Sequence, residues 1–407
     1  MRIRLSSIFL LLPLIATFCV IFKFQRNFHE EFAVTTDTIS ISNPLSPINQ
    51  PDCICKSTKT NKTYELCYKL PENPLKSGRR FSCEFIDYWE RFENLKYLSV
   101  IHDEIPEPVF VTAFSTGFTA NAVRMITSIR KTGFDTKIVI FDLGLKQADL
   151  DIFKTACNVE IRPFNFSQFP ASMRNLHEYR WKSIVIAESL AEFGAIWYLD
   201  TSVIIEKQNL THVYDLINCQ KDIDQRPPIL PISQRDLRER TEKHEDGWNQ
   251  DTWSRNLKEC RKSEYLLHGY SGHGIVPVTN PEVFEYFPTN FEELKKEKAK
   301  MYDAGFVYAV NTRQTMMGIV KWYVLCALED SCMAPKQSRL SCSFRNKDRF
   351  SEYANCHRFD QSIINLLLAN ANHYDRRYYV SEIVDFFHIK RANDFYVKNE
   401  EMQCIIN

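Results

Sequence analysis

The chain has 407 residues, which is enough for one large domain or two ordinary ones built around a sizeable core. Lysine plus arginine and aspartate plus glutamate both number 51, so the formal net charge is zero and the chain lacks the basic excess of a nucleic-acid-binding protein. With 44% hydrophobic and 25% charged residues, the composition is globular and argues against long disordered stretches beyond the N-terminal region.

The N-terminal region predicts export across a membrane. Residues 5–22 carry no charge, and a stretch of that length is the lower limit for a helix that spans a bilayer. Arg2 and Arg4 precede it and favour a cytoplasmic N-terminus. We predict a cytoplasmic tail over 1–4 and a signal-anchor over 5–24, hence a single-pass type II membrane protein facing the Golgi or endoplasmic reticulum lumen. A cleaved signal peptide and a secreted protein are the alternative, although large apolar residues crowd the cleavage position.

The cysteines and sequons indicate the same compartment. Of thirteen cysteines, Cys19 lies in the apolar segment, and the even number beyond it predicts disulfides in an oxidising environment. A stem rich in Ser, Thr, Pro and Asn is predicted over 25–52, followed by a Cys-rich lumenal segment over 53–105, where zinc binding is the less favoured alternative. The predicted glycosylation sites are Asn61, Asn165 and Asn209.

From about residue 106 to 400 the chain alternates between β-rich and helical runs. The predicted strands are 109–114, 137–142, 159–161 and 195–199, and the predicted helices are 120–131, 146–156, 176–193, 312–328 and 360–370. This spacing predicts an α/β domain with a Rossmann-like, mostly parallel sheet and helices on both faces. Ligands bind such sheets at the carboxyl ends of the strands, where Thr112 to Ser115, Asp142 and Asp200 fall. The charged stretch 233–265 is predicted to be an insertion or mobile loop.

Two sequence blocks carry a family resemblance that covers about residues 108–390. Tyr179-Arg180-Trp181-Lys182, followed by a helix and Ile196-Trp197-Tyr198-Leu199-Asp200-Thr201-Ser202, resembles nucleotide-diphospho-sugar transferases of the glycosyltransferase-A fold, in which the second block reads aromatic-Leu-Asp-x-Asp. More narrowly, the chain is similar to a nematode-expanded family of membrane-anchored proteins of unknown function. That family is expected to have an Asp-Ser-Ser-like motif and a later block, here His357-Arg358-Phe359-Asp360-Gln361-Ser362.

The resemblance implies a metal site. Asp200 corresponds to the first Asp of the Asp-x-Asp motif, and Ser202 occupies the second position, where the standard enzyme has its main metal-binding carboxylate. His388 would complete a site for Mn²⁺ or Mg²⁺, with a histidine held by a backbone carbonyl at a strand end as the alternative. The chain departs from the pattern at Ser202, because a hydroxyl is a weaker ligand than a carboxylate for a hard cation.

The same resemblance implies residues that bind the donor. Arg180 and Lys182, on the helix before Asp200, and the later Lys390 would contact the donor diphosphate, since paired cations suit a nucleoside diphosphate leaving group. Thr112 and Ser115, at a strand end, are further candidates for donor binding. An ordinary solvated helix face is the alternative for the two cations at the start of the helix.

Other positions are assigned to the acceptor side and to catalysis. Gly272 and His273 resemble a turn that lines the acceptor, and Gln361 lies beside Asp360 at a helix start near the sugar hydroxyls. Asp200 and Asp360 are the candidate catalytic carboxylates, with Asp360 the candidate general base of an inverting reaction. A plain turn for the glycine segment and a helix cap for Asp360 are the structural alternatives.

These features together predict a function. The preferred hypothesis is transfer of a sugar from a nucleotide sugar to a glycan or glycoprotein acceptor in the secretory pathway. The alternative is a catalytically degenerate lumenal binding protein or structural membrane glycoprotein, which the Ser202 position favours.

Overall fold

The structure is a computed structural model that describes residues 53–220, 250–345, 348–391 and 402–404. Its strands are β1 Ile54–Lys56, β2 Thr63–Glu65, β3 Lys69–Leu70, β4 Asn73–Ser77, β5 Val109–Phe114, β6 Ile138–Asp142, β7 Val159–Pro163, β8 Ala195–Leu199, β9 Val203–Ile205, β10 Tyr265–Leu266, β11 Tyr270–Gly274, β12 Lys300–Tyr302, β13 Phe306–Val310 and β14 Phe387–Ile389. Its α-helices are α1 Ile86–Trp89, α2 Thr119–Lys131, α3 Gln147–Lys154, α4 Arg180–Phe193, α5 Thr211–Asn218, α6 Gln250–Glu259, α7 Val283–Tyr286, α8 Phe291–Leu294, α9 Lys321–Leu328, α10 Asp330–Met333 and α11 Asp360–Ala371.

The predicted anchor over 5–24, the stem and residues 233–249 of the charged stretch lie outside the described residues, whereas residues 250–259 of that stretch form helix α6 rather than the predicted loop. Within the part of the chain that the structure describes, no helix has both the length and the apolar character needed to cross a bilayer. The membrane anchor therefore stays a prediction from the sequence.

A six-stranded sheet organises the fold, in the order β10-β13-β8-β5-β6-β7. Strands β8, β5, β6 and β7 are mutually parallel, whereas β13 runs antiparallel to β8 and β10 antiparallel to β13. This confirms the predicted α/β class and the mostly parallel sheet. The four strands predicted from apolar runs are the four parallel ones.

Apolar side chains cover both faces of this sheet, as continuous buried strands require. Along β8, Ile196 and Tyr198 face one core, where Ile184 of α4 packs, and Trp197 and Leu199 face the other, where Ile126 of α2 packs. The strands β5, β6, β8 and β13 are thus held from two sides, and their accessible parts are at their ends. A site on this sheet must therefore lie at a strand end.

Two differences from the predicted elements bear on the site. The helix predicted from residue 176 begins at Arg180, because Tyr179 adopts a left-handed conformation with φ of 53° that breaks the helical path after a short 3-10 turn over Leu176–Glu178. Strand β13 was not predicted, although all five of its residues are buried. It lies directly beside β8 and so brings the residues before it to the carboxyl end of that strand.

The Cys-rich segment shares the core of the α/β domain. The Tyr68 ring lies edge-on to Phe287 and Trp322, with ring centroids 5.2 and 5.4 Å away. Gly78 meets the main chain of α7 so closely that a Cβ there would lie 1.9 Å from the Tyr286 carbonyl oxygen. The boundary predicted at residue 105 is therefore crossed by one continuous core.

All twelve cysteines beyond Cys19 are paired, which confirms disulfides rather than zinc. The bridges are Cys53–Cys67, Cys55–Cys83, Cys157–Cys404, Cys219–Cys260, Cys326–Cys332 and Cys342–Cys356. The longest loop is closed by Cys157–Cys404, 247 positions apart, which ties the C-terminal segment to the region after α3.

Reduction should therefore destabilise the protein. We expect dithiothreitol to lower the melting temperature, and Cys157→Ser with Cys404→Ser to lower the free energy of unfolding by about 2–4 kcal/mol, since the open chain regains conformational entropy. Differential scanning calorimetry measures both effects. A melting curve unchanged by reductant would contradict the bridged structure.

Candidate functional site

Asp200 follows the last residue of β8 and is held there by the chain before β13. Its backbone N–H donates to the Gly305 carbonyl at 2.7 Å, because Phe306 pairs with Leu199 in the antiparallel register. A Cβ at Gly305 would lie 2.5 Å from Oδ2 of Asp200, so this close approach requires glycine. The site thus begins with a carboxylate at the carboxyl end of a central strand.

Lys182, in the first turn of α4, lies between Asp200 and a second carboxylate. Its Nζ is 3.2 Å from Oδ1 of Asp200 and 2.7 Å from Oδ2 of Asp360. Burial acts against the charged ammonium, but the attraction of both carboxylates outweighs it and places the pKa of Lys182 above its ordinary value. We call Lys182, Asp200 and Asp360 the carboxylate–lysine cluster.

The three members of this cluster differ in exposure. The side chain of Lys182 is 3% exposed and that of Asp360 is 6% exposed, whereas the side chain of Asp200 is 36% exposed. Asp200 is therefore the member that a ligand can reach. Its Oδ1 also accepts a 2.8 Å hydrogen bond from the Tyr198 hydroxyl, and burial raises the pKa of Tyr198, so the phenol stays protonated and donates.

The block from His357 to Ser362 places Asp360 at the start of α11. Phe359 adopts φ of 44°, an uncommon conformation that turns the chain sharply into the helix. His357 links two other segments of the chain, since its Nε2 donates to the Met333 carbonyl at 3.0 Å and its Nδ1 accepts from the Asn280 N–H. The hydroxyl of Ser362 accepts from the Arg358 N–H at 3.1 Å. The motif therefore builds a fixed turn that presents one carboxylate to Lys182.

Further residues at this sheet edge were not predicted from the sequence. Asp303, two residues before Gly305, is partly buried, which raises its pKa, while the positive charges of Arg391 and Arg358 act in the opposite direction. The signal that could have found Asp303 and Gly305 is the polar Asp-Ala-Gly segment directly before the apolar run of β13. Tyr198 had no such signal, because an aromatic residue in a buried strand is ordinary.

Arg180 and Lys182 are both buried, so neither belongs to a solvated helix face. The Arg180 guanidinium lies 2.5 Å from the Glu178 carboxylate and donates to the carbonyl of Ala327 at 3.0 Å. It thus links the start of α4 to the end of α9. Its N–H groups are used in these contacts inside the fold, and not in the predicted contact with a donor diphosphate.

The predicted strand-end residues of β5 differ from each other. Thr112 lies inside the strand and is fully buried, with its hydroxyl lacking a hydrogen-bond partner among the described residues. Ser115 is partly exposed just after the strand, where the chain turns into a 3-10 segment. Of the two, Ser115 has the position that a ligand at the sheet edge could contact.

The three predicted metal ligands do not form a donor set suited to a divalent cation. His388 lies on β14 with its Nδ1 2.7 Å from the Glu206 carboxylate, so it is held by a side chain rather than by the backbone carbonyl of the structural alternative. Both oxygens of Asp200 lie within 3.4 Å of the Lys182 ammonium. Ser202 contributes only a hydroxyl. Among the described residues no three His, Cys, Asp or Glu side chains are grouped to hold a metal ion.

The predicted acceptor-side residues lie on β11 and α11. Gly272 has φ of 86° in the irregular strand β11, a conformation that favours glycine. His273 is buried with its Nδ1 3.0 Å from the Gly274 carbonyl, and burial lowers its pKa. Gln361 is buried beside Asp360, and its Nε2 has no partner among the described residues.

A cleft of about 430 Å³ opens beside the starts of α4 and α11. Its walls include Glu178, just before the turn into α4, and Phe359, just before α11, together with the segment 334–340. Asp200 does not line it. The cleft and the exposed face of Asp200 are therefore separate features.

The three sequon asparagines are all exposed, as glycosylation requires. In two of them, Asn165 and Asn209, the side-chain oxygen accepts from the hydroxyl of the residue two positions on. Their placement agrees with the predicted modification, which itself stays a prediction.

Comparison with known proteins gives a family of unknown function. Residues 53–187, about a third of the chain, match the family model described as "Protein of unknown function (DUF1647)". This bears out the resemblance to a family without an assigned activity. No curated protein matches the chain at a significant level.

Several solved glycosyltransferases show a distant likeness. Mouse xyloside xylosyltransferase 1 is 8% identical with a TM-score of 0.33, over 67% of this chain and 84% of that one. Galactosyltransferase LgtC, in complex with donor and acceptor sugar analogues, is 12% identical with a TM-score of 0.29, over 67% and 72%. Glycosyltransferase GlyE of Streptococcus pneumoniae is 13% identical with a TM-score of 0.31, over 67% and 45%. Likenesses at this level do not define an activity for this chain.

Removing the central ammonium should destabilise the fold. Lys182→Met leaves the buried carboxylate of Asp360 without its ammonium partner, and we expect the free energy of unfolding to fall by about 3–5 kcal/mol. Adding Asp360→Asn should recover part of the loss by removing one charge. Chemical denaturation measures both, with exposed Lys146→Met as the control. A cost for Lys182→Met no larger than that of the control would contradict the cluster.

The buried His357 should make stability depend on pH. Burial lowers the pKa of His357 to about 4, against about 6.5 in the unfolded chain, so the unfolded state binds more protons between these values. The contribution is present above pH 6.5 and is lost as the pH falls towards 4.

The raised pKa of Asp360 changes the stability with pH in the opposite direction, so the pH dependence of the unmodified chain does not report on His357 alone. Substitution of His357 isolates its contribution. His357→Gln should reduce the slope of unfolding free energy against pH by up to about 1.4 kcal/mol per unit in that window. The same substitution at exposed His177 controls for the loss of a histidine as such. Equal slopes for His357→Gln and the unmodified chain would contradict a neutral buried His357.

Proposed function

We propose that this chain is a glycosyltransferase of the secretory pathway that moves a sugar from a nucleotide-sugar donor to a glycan or glycoprotein acceptor. The observation that carries the proposal is the carboxylate–lysine cluster at the carboxyl end of β8, with Asp200 its exposed member. The carboxyl ends of the strands are where α/β sheets bind their ligands. The resemblance of the block ending at Asp200 to glycosyltransferase-A enzymes supports the same assignment.

The proposal includes a type II topology with the anchor at 5–24 and the folded domain in the Golgi or endoplasmic reticulum lumen. Six disulfides and three exposed sequons support an oxidising, glycosylating compartment. A secreted form would arise if the first segment were cleaved.

In this proposal Asp200 orients the donor sugar over the strand end. Lys182 and the Tyr198 hydroxyl fix the direction of its carboxylate, so no reorganisation is needed when the donor binds. Asp360 directs its Oδ2 at Lys182 and is buried, so in this arrangement it is a positioning residue rather than the general base considered from the sequence.

A second candidate function is a binding protein without turnover. The observation that favours it is the serine at position 202, which replaces a ligand of the metal-dependent reaction. A protein that gains no thermal stability from UDP or GDP and hydrolyses no nucleotide sugar would match this candidate.

Turnover tests the proposal directly. The purified full-length chain should release nucleoside diphosphate from at least one nucleotide sugar in a donor panel, and Asp200→Asn should lower that rate by about 10²–10³-fold because the fixed charge is lost. Asp151→Asn, at an exposed position on α3, is the matched control and should keep the rate. Full activity in Asp200→Asn would contradict the assigned site.

A further inference from the structure

We infer that the donor diphosphate is held by the guanidinium groups of Arg358 and Arg391 instead of by a divalent metal. This inference rests on the proposed function, and it names the part of the site that recognises the nucleoside diphosphate.

Lys182 cannot supply the positive charge that a diphosphate needs. An ammonium has three N–H donors. The Nζ of Lys182 directs them at the Asp200 carboxylate, at Oδ2 of Asp360 2.7 Å away, and at the Ala304 carbonyl oxygen 3.5 Å away. Its side chain is almost completely buried and its charge is offset by the two carboxylates. The cluster therefore presents no net positive charge to a ligand.

A divalent cation is poorly placed to supply that charge either. A cation bound to either oxygen of Asp200 would lie close to the Lys182 ammonium, and the carboxylate that could offset the repulsion, Asp360, is turned to the ammonium. His388 is bound to Glu206, and position 202 offers only a hydroxyl. The donor set thus disagrees with the metal that the family resemblance implies.

Arg391 reaches the site along the edge of β14. The backbone N–H of the preceding residue, Lys390, donates to the Ser202 carbonyl at 2.8 Å, so Arg391 lies beside the turn that follows Asp200. Its side chain is exposed. Its charge acts on Asp303, two residues before the glycine that holds Asp200.

Arg358 comes from a different segment of the chain, next to the buried member of the cluster. It lies two residues before Asp360, and its own backbone N–H donates to both the Val278 carbonyl and the Ser362 hydroxyl. One of its five N–H donors is directed to the Leu340 carbonyl at 3.4 Å, which leaves a partly exposed fork. Its charge also acts on Asp303, so the two arginines approach one region from separate segments.

Two arginines in this arrangement match a diphosphate. A guanidinium binds two phosphate oxygens at once, and such charge-assisted bonds are stronger than neutral ones. The charges of both arginines act on Asp303, so both guanidinium groups belong to the surroundings of this carboxyl. The nucleoside diphosphate would lie over Ser202, with the sugar end towards the exposed face of Asp200.

Binding of UDP and GDP to the full-length chain in detergent micelles tests this inference. Isothermal titration calorimetry in EDTA and in Mn²⁺ should give dissociation constants within about threefold of each other for the nucleotide that binds. Arg358→Gln and Arg391→Gln should each weaken binding about 10–100-fold in EDTA, the loss expected for charge-assisted hydrogen bonds. Arg358→Lys and Arg391→Lys, which keep the charge, should weaken it less.

The matched control is Arg313→Gln, an exposed arginine just beyond the opposite end of β13, which should bind as the unmodified chain does. Melting temperatures confirm that each variant is folded. Binding in Mn²⁺ but not in EDTA would overturn the inference and leave the proposed function standing. Metal-independent binding that both arginine variants retain would overturn the assignment of these residues. No binding of either nucleotide in either buffer would overturn the inference and the proposed function together.

Discussion

The site depends on one buried ammonium held between two carboxylates. Lys182 lies 3.2 Å from Asp200 and 2.7 Å from Asp360, and these residues come from a helix, a strand end and a second helix far apart in sequence. A buried charge without partners is costly, so each of the three elements is constrained by the other two. The positive φ of Phe359 and the close approach of Gly305 to Asp200 both lie next to this cluster.

The cluster also explains which charged side chains at the site remain accessible to a ligand. Lys182 and Asp360 are directed at each other, and Arg180 is directed at Glu178 and main-chain carbonyls, so these groups support the architecture. Asp200 remains partly exposed, and the proposal places Arg358 and Arg391 beside it. A protein that fixes its internal charges in this way presents a rigid carboxylate and a positively charged rim, and that combination suits a sugar attached to a diphosphate.

The fold was more predictable from sequence than the site. Continuous apolar runs identify the parallel strands, and Asp200 at the end of the fourth run could be placed at the ligand edge without a structure. Strand β13 was missed because it runs antiparallel to β8 and so lies outside the strand–helix alternation that predicts the parallel strands. The residues that it delivers, Asp303 and Gly305, were therefore missed as well.

Side-chain partners could not be predicted, because they depend on contacts between distant segments. Lys182 was expected to contact a phosphate, and in the structure it contacts Asp200 and Asp360. His388 was expected at a metal, and in the structure its partner is Glu206. The sequence predicted that the twelve cysteines beyond Cys19 form disulfides, but it did not predict which cysteines pair, because the pairs follow only from the folded chain. Periodicity records which residues are buried and carries no information on which charges meet.

A crystal structure of the chain with bound UDP or GDP tests the central claim most directly. The account predicts the diphosphate over the carboxyl end of β8, within hydrogen-bonding distance of Arg358 and Arg391, with Lys182 still paired to Asp200 and Asp360. A nucleotide bound elsewhere on the molecule, or Lys182 released from its carboxylates to contact phosphate, would contradict it.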